Sequence, residues 1–106
     1  MSRDVQKELS QVIDSNPVIL FMKGNREMPQ CGFSARVVQI LDACDVNYAT
    51  VDILQDPEVR AGIKVYSNWP TLPQLYVQGE FVGGCDIVTD MHLNGQLETM
   101  LEPVKG

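Results

Sequence analysis

Apolar and polar positions along this chain follow distinct rhythms, and each rhythm predicts an element. Between about Asp4 and Ser15, Val5, Leu9, Val12 and Ile13 line one helical face, and Asn16-Pro17 stops the run. Val18–Met22 is apolar throughout, which suits a central strand covered on both faces. A loop of charged and turn-forming residues, Lys23-Gly24-Asn25-Arg26-Glu27, then leads into Met28-Pro29-Gln30-Cys31-Gly32-Phe33-Ser34. The three-and-four spacing resumes with Phe33, Val37, Val38, Ile40 and Leu41. It predicts a second helix running to about Cys44, with Phe33 in the core and Cys44 as filler on the same apolar face. Tyr48–Ile53 reads as a second strand. Strand, helix, strand with short connections makes a βαβ unit, so the two strands should be parallel.

The second half changes rhythm. Asp56-Pro57-Glu58 is a helix start, with Asp as N-cap and Pro at the first helical position. That helix ends before Trp69-Pro70. Gln74–Val77 and Glu80–Val82 are joined across Gln78-Gly79, the length and chemistry of a tight hairpin. Gly83-Gly84 turns the chain into a last helical region from about Asp86, broken at Asn94-Gly95, and the tail ends at Pro103. The order α-β-α-β-α-β-β-α describes an α/β protein: a four-stranded mixed sheet flanked by helices, parallel in its first half and hairpin-built in its second. With a cysteine at the first strand–helix junction, it resembles the thioredoxin fold.

Composition narrows the partners. The chain has 106 residues, enough for one compact domain spanning 1–106. Its net charge is −6, with only 8 Lys and Arg in total, which argues against nucleic acid or an anionic membrane as the main partner. The first residues are polar and include two acids, so neither a secretory signal nor an organellar presequence is expected. No apolar run approaches the roughly 18 residues of a spanning helix. The 3 cysteines, Cys31, Cys44 and Cys85, are widely spaced and odd in number, which is no disulfide framework. A reducing compartment, hence the cytoplasm, is the simplest expectation.

Of the three thiols, Cys31 is placed for chemistry. It sits where a loop becomes a helix, beside unpaired backbone N–H groups and the positive end of the helix dipole. A thiol there should be more acidic than usual, and the thiolate is both nucleophile and metal ligand. Gly32 lets another backbone approach closely. Ser34 stands where a second cysteine would make a Cys-x-x-Cys pair, so Cys31 must borrow any partner sulfur. A [2Fe–2S] cluster wants four thiolates, and one chain offers a single well-placed one. His92, the lone histidine, lies in the last helical region and reads as solvated.

Cys31-Gly32-Phe33-Ser34, Trp69-Pro70-Thr71-Leu72-Pro73 and Gly83-Gly84-Cys85-Asp86, in this order and on these elements, strongly resemble the monothiol (CGFS-type) glutaredoxins. The resemblance covers nearly the whole chain. It implies a glutaredoxin-like thioredoxin fold and a glutathione site. It also implies a [2Fe–2S] cluster shared by two chains in a homodimer, with two glutathione thiols completing the four ligands. By the same resemblance Lys23 and Arg60 hold the glycine carboxylate of glutathione, although Lys64 one turn later could substitute for Arg60. Pro73 is expected to be cis, turning the Leu72 backbone toward the ligand as an added strand would be; an ordinary trans turn is the alternative. Gly84, Cys85 and Asp86 open the last helix and offer N–H groups to the γ-glutamyl carboxylate. Asp86 could cap that helix and also meet the ligand ammonium. Cys85 either offers its N–H or forms a disulfide with Cys31. Trp69 either walls the site, meets a partner or simply packs.

The function implied is carriage of the cluster to client apoproteins in iron–sulfur biogenesis and iron homeostasis, with BolA-type proteins as further partners. The reading from another class is a glutathione-dependent oxidoreductase that uses Cys31 alone. Family members of this type are typically poor reductases, so any such enzyme activity is expected to be weak.

Overall fold

A computed structural model describes residues 3–105. Helix α1 (Val5–Ser15) is opened by Asp4, whose side chain accepts the Lys7 N–H at 3.0 Å. Strand β1 (Val18–Met22) follows, then α2 (Gly32–Ala43) and β2 (Ala49–Asp52). The second strand is shorter than the Tyr48–Ile53 expected. Asp52 accepts the Leu54 N–H and turns Ile53–Gln55 into a single 3₁₀ turn. Helix α3 (Pro57–Ser67) starts on Asp56, which accepts the N–H groups of Glu58 and Val59, and it ends on Asn68 in the left-handed conformation. Strands β3 (Gln74–Val77) and β4 (Glu80–Gly83) form the expected hairpin, with positive φ at both Gln78 and Gly79. Helices α4 (Cys85–Leu93) and α5 (Gln96–Leu101) part at Asn94-Gly95, and a short 3₁₀ turn, Glu102–Val104, follows.

The sheet order is β2-β1-β3-β4, with β1 parallel to β2 and antiparallel to β3, and β3 antiparallel to β4. All five residues of β1 and all four of β3 are buried, while the edge strands are only partly so. The continuous apolar run thus marked a central strand for the physical reason given, cover on both faces.

Alternation along β1 splits the core. Val18, Leu20 and Met22 face α2, α4 and α5, packing with Val37, Leu41, Val88, Leu97 and Leu101. Ile19 and Phe21 face the other way, toward Leu9 and Ile13 of α1 and Ile63 of α3. The sheet therefore lies between two helical layers, α1 and α3 on one side and α2, α4 and α5 on the other. Outside the core, Arg3 joins α1 to the start of α3, bonding Glu8 at 2.7 Å, Asp56 at 2.9 Å and Glu58 at 3.0 Å. This topology brings the end of β1, the start of α2, the loop before β3 and the start of α4 to one end of the molecule.

Candidate functional site

Cys31 is the N-cap of α2. Its backbone is extended (φ −151°, ψ 147°), and its sulfur accepts the Ser34 N–H at 3.4 Å. A sulfur thus fills the place that a hydroxyl or carboxylate usually takes at a helix start. Burial pushes this thiol up, but the Ser34 N–H, the Ser34 hydroxyl, the Phe33 N–H and the Lys23 charge together hold it below the ordinary thiol value.

Ser34 does more than leave out a second cysteine. It is fully buried, its Oγ accepts the Lys23 N–H at 3.1 Å, and it lies 3.6 Å from Cys31 Sγ. One hydroxyl therefore ties the end of β1 to the first turn of α2. Toward a thiolate, its rotatable O–H is the donor.

The loop before Cys31 is held from both sides. Gln30 donates its N–H to the Lys23 carbonyl at 2.8 Å, and Gly24 donates its N–H to Asp52 at 2.9 Å. Gly24 has φ +89°, and a Cβ there would come within 2.5 Å of the Met28 carbonyl, so the turn needs glycine.

Beside Cys31 lies a cleft of about 400 Å³. Lys23, Arg60 and Lys64 line it, and among the described residues none of the three is paired with a carboxylate. Arg60 and Lys64 sit one turn apart on α3, so both proposed cations reach the cleft rather than one in place of the other. The floor is Thr71, Leu72 and Pro73, and the Leu72–Pro73 bond is cis. Gly84, Cys85 and Asp86 also line the cleft. Cys31 is not itself a lining residue; Phe33 and Lys23 connect it to the cleft.

Four expectations change. Phe33 is 65 % exposed and lines the cleft instead of packing in the core. Phe33 shares its helix face with Val37 and Ile40, four and seven residues on, but it lies in the first turn of α2, where it lines the cleft. The buried residue of that turn is the polar Ser34, which apolar spacing passes over. Asp86 does not cap α4. Gly84 is the N-cap and α4 has no side-chain cap, so the first N–H groups of α4 have no side-chain partner there. Gly32 borders open space: a Cβ there would meet nothing within 4 Å, so no close approach within the chain requires this glycine. His92 is only partly exposed, and its Nδ1 is buried.

The three cysteines are free thiols, and Cys85 Sγ lies 4.0 Å from Thr89 Oγ1. Trp69 combines two of its expected roles, since it lines the cleft and also packs against Phe81 with ring centroids 5.9 Å apart.

Sequence reasoning missed Gln74. It is fully buried, and its amide donates to the carbonyls of Trp69 and Thr71, both at 3.2 Å, while its oxygen accepts the Tyr76 hydroxyl at 3.1 Å. It holds the loop that carries Trp69 and Leu72 in place. A polar residue opening an apolar strand was the available signal.

The fold and this site define a thioredoxin-fold protein with a single acidified thiol at its first strand–helix junction. A profile described as Glutaredoxin matches residues 18–82. A monothiol glutaredoxin of Synechocystis sp. is 52% identical over 102 residues, covering 96% of this chain and 95% of the relative. Glutaredoxin 4 of Escherichia coli (strain K12) is 50% identical over 102 residues, covering 96% and 88%. The crystal structure of a buckwheat glutaredoxin–glutathione complex superposes with a TM-score of 0.85 at 26% identity, covering 96% of this chain and 93% of that one. The chain belongs to the glutaredoxin family, in its monothiol branch.

Proposed function

We propose that this protein binds glutathione in the cleft beside Cys31 and, as a homodimer, carries a glutathione-ligated [2Fe–2S] cluster to client apoproteins. The observation that carries the reading is one acidified thiol next to a cleft lined both by three cations and by a helix N-terminus without a side-chain cap. Glutathione is a tripeptide with a carboxylate at each end. Lys23 and Arg60, aided by Lys64, suit the glycine carboxylate. The N–H groups at the start of α4, from Cys85 and Asp86, suit the γ-glutamyl carboxylate, and the Asp86 side chain suits the ammonium beside it. The Leu72 backbone, in the loop just ahead of β3, suits pairing with the ligand's peptide-like middle, with Pro73 and Trp69 shaping that wall. The glutathione held by the buckwheat relative supports this use of the cleft.

The cluster is cargo, and ligand counting supports its sharing. Cys31 contributes one thiolate per chain, two chains contribute two, and two glutathione thiols complete four. Ligands that are half non-protein can exchange, which suits delivery to clients and hand-over with BolA-type partners. The exposed Phe33 and Trp69 beside the thiol offer apolar surface for a second chain.

The second reading is supported by the same acidified sulfur. Cys31 thiolate attacks the glutathionyl sulfur of a mixed disulfide and forms a Cys31–glutathione disulfide as the client leaves as thiolate. A second glutathione thiolate then attacks, restoring Cys31 and releasing oxidised glutathione.

Anaerobic reconstitution with iron, sulfide and glutathione decides between them. We expect a coloured dimer that a chelator returns to colourless monomer, with weak deglutathionylation turnover. Cys31→Ser should lose both colour and turnover. Rapid turnover from a chain that stays colourless would make the oxidoreductase reading the right one.

A further inference from the structure

The far end of α2 carries a second group of reactive side chains that the cleft does not use. Cys44 caps α2 at its C-terminus, His92 lies in the last turn of α4, and Glu98 lies in the first turn of α5. One donor atom from each, the Cys44 sulfur, a His92 ring nitrogen and a Glu98 carboxylate oxygen, lie within 4.8 Å of one another. The 12 residues of α2 separate this group from Cys31. At a rise of 1.5 Å per residue that is about 18 Å, so the two places are chemically independent.

Two observations set the cluster apart from a chance meeting of side chains. His92 Nδ1 is buried and among the described residues has no hydrogen-bond partner, a costly state for a ring nitrogen unless water or an ion completes it. The donors also differ in kind. Magnesium and calcium take oxygen ligands, whereas thiolate, imidazole and carboxylate together suit a borderline ion such as Zn²⁺. Bond lengths of about 2.0–2.3 Å to zinc put tetrahedral donors about 3.5 Å apart. The group must therefore tighten by about 1 Å from its outer spacing. Glu98 is exposed on a short terminal helix and is free to supply that movement.

We infer that Cys44, His92 and Glu98 form a distal site for a Zn²⁺-class divalent ion, with a fourth position open to water or an external ligand. On binding, the Cys44 thiol gives its proton to solvent and ligates as thiolate. Without an ion, burial and then the Glu98 charge push that thiol up, while Lys105 acts in the opposite sense. The bound ion would join the end of α2 to the α4–α5 corner, where Gly95 turns the chain at φ +83°.

The test uses the full chain carrying Cys31→Ser and Cys85→Ser, so that Cys44 is the one remaining thiol, and Co²⁺ alone as the probe. We expect one equivalent to bind with a thiolate-to-cobalt charge-transfer band that Zn²⁺ bleaches. His92→Gln and Glu98→Gln should each weaken binding at least about tenfold, the scale on which even outer-shell partners of a metal act. Cys44→Ser added to this background should abolish the band. Because Cys44 is buried and that variant can misfold, the two surface-side substitutions carry the decision. Absence of the band, or a Co²⁺ affinity indifferent to either His92→Gln or Glu98→Gln, overturns the site.

Discussion

The chemistry of this protein turns on how one sulfur is seated. Cys31 is partly buried, which by itself would keep its proton on, yet two backbone N–H groups, one hydroxyl and one lysine outweigh that burial. A thiol whose folded value lies below its unfolded one is ionised at a lower pH. Alkylation of Cys31 by iodoacetamide should therefore rise with a midpoint below that of an ordinary thiol. Ser34→Ala should move the midpoint up, because it removes one of the groups that favour the charged form. The same substitution leaves the Lys23 N–H without its acceptor, at a cost of about 1–3 kcal/mol in denaturant unfolding. Linkage adds a pH-dependent part. The depressed thiol stabilises the folded state in full above the unfolded thiol value, and this contribution is lost as pH falls through the folded value. The difference between the natural chain and Ser34→Ala should accordingly widen at alkaline pH; a gap that is flat with pH would show that the hydroxyl does not act on the sulfur.

At the scale of elements, the site depends on contacts remote from it. Helix α3 brings Arg60 and Lys64 to the cleft, and its position is set by how closely it lies on α1. Gly62 is where they touch: a Cβ there would sit 2.5 Å from Val5 Cγ1, and the Gly62 carbonyl accepts the Gln6 side-chain amide at 2.9 Å. Gly62→Ala gains helix propensity but forces the two helices apart. Overpacking is the larger effect, so we expect a net loss of about 1–3 kcal/mol in thermal or urea unfolding. A stabilised Gly62→Ala chain would mean that Val5 moves aside freely. The loop before β3 depends in the same way on Gln74, whose amide reaches two loop carbonyls from inside the sheet.

For the whole molecule, charge is unevenly spread. The chain carries −6, yet Lys23, Arg60 and Lys64 converge on one cleft, and attraction among exposed groups is screened over about 8 Å at physiological salt. Glutathione binding, followed by calorimetry, should weaken as salt rises, and Arg60→Ala should flatten that dependence; affinity that ignores salt would argue against the cations as carboxylate ligands. The helices, both central strands and the Gln78-Gly79 hairpin were legible because each reflects local chemistry: apolar period, caps and left-handed turn positions. Cys31 was legible because its seat at a helix start follows from the chain's own rhythm. Phe33, Gln74 and His92 were not legible. Whether an aromatic faces solvent, a glutamine reaches two carbonyls or a ring nitrogen is walled in depends on which elements arrive from elsewhere. By itself, then, the sequence determined the order of elements and the thiol seated at a helix start, since these rest on contacts within a few residues, while the short connections and the hairpin turn set the strand directions of the mixed sheet. Only the tertiary structure decided that three cations share the cleft, that Ser34 ties the Cys31 turn to the end of β1 and that Cys44, His92 and Glu98 meet, because those neighbours come from separate segments of the chain and are joined only by packing.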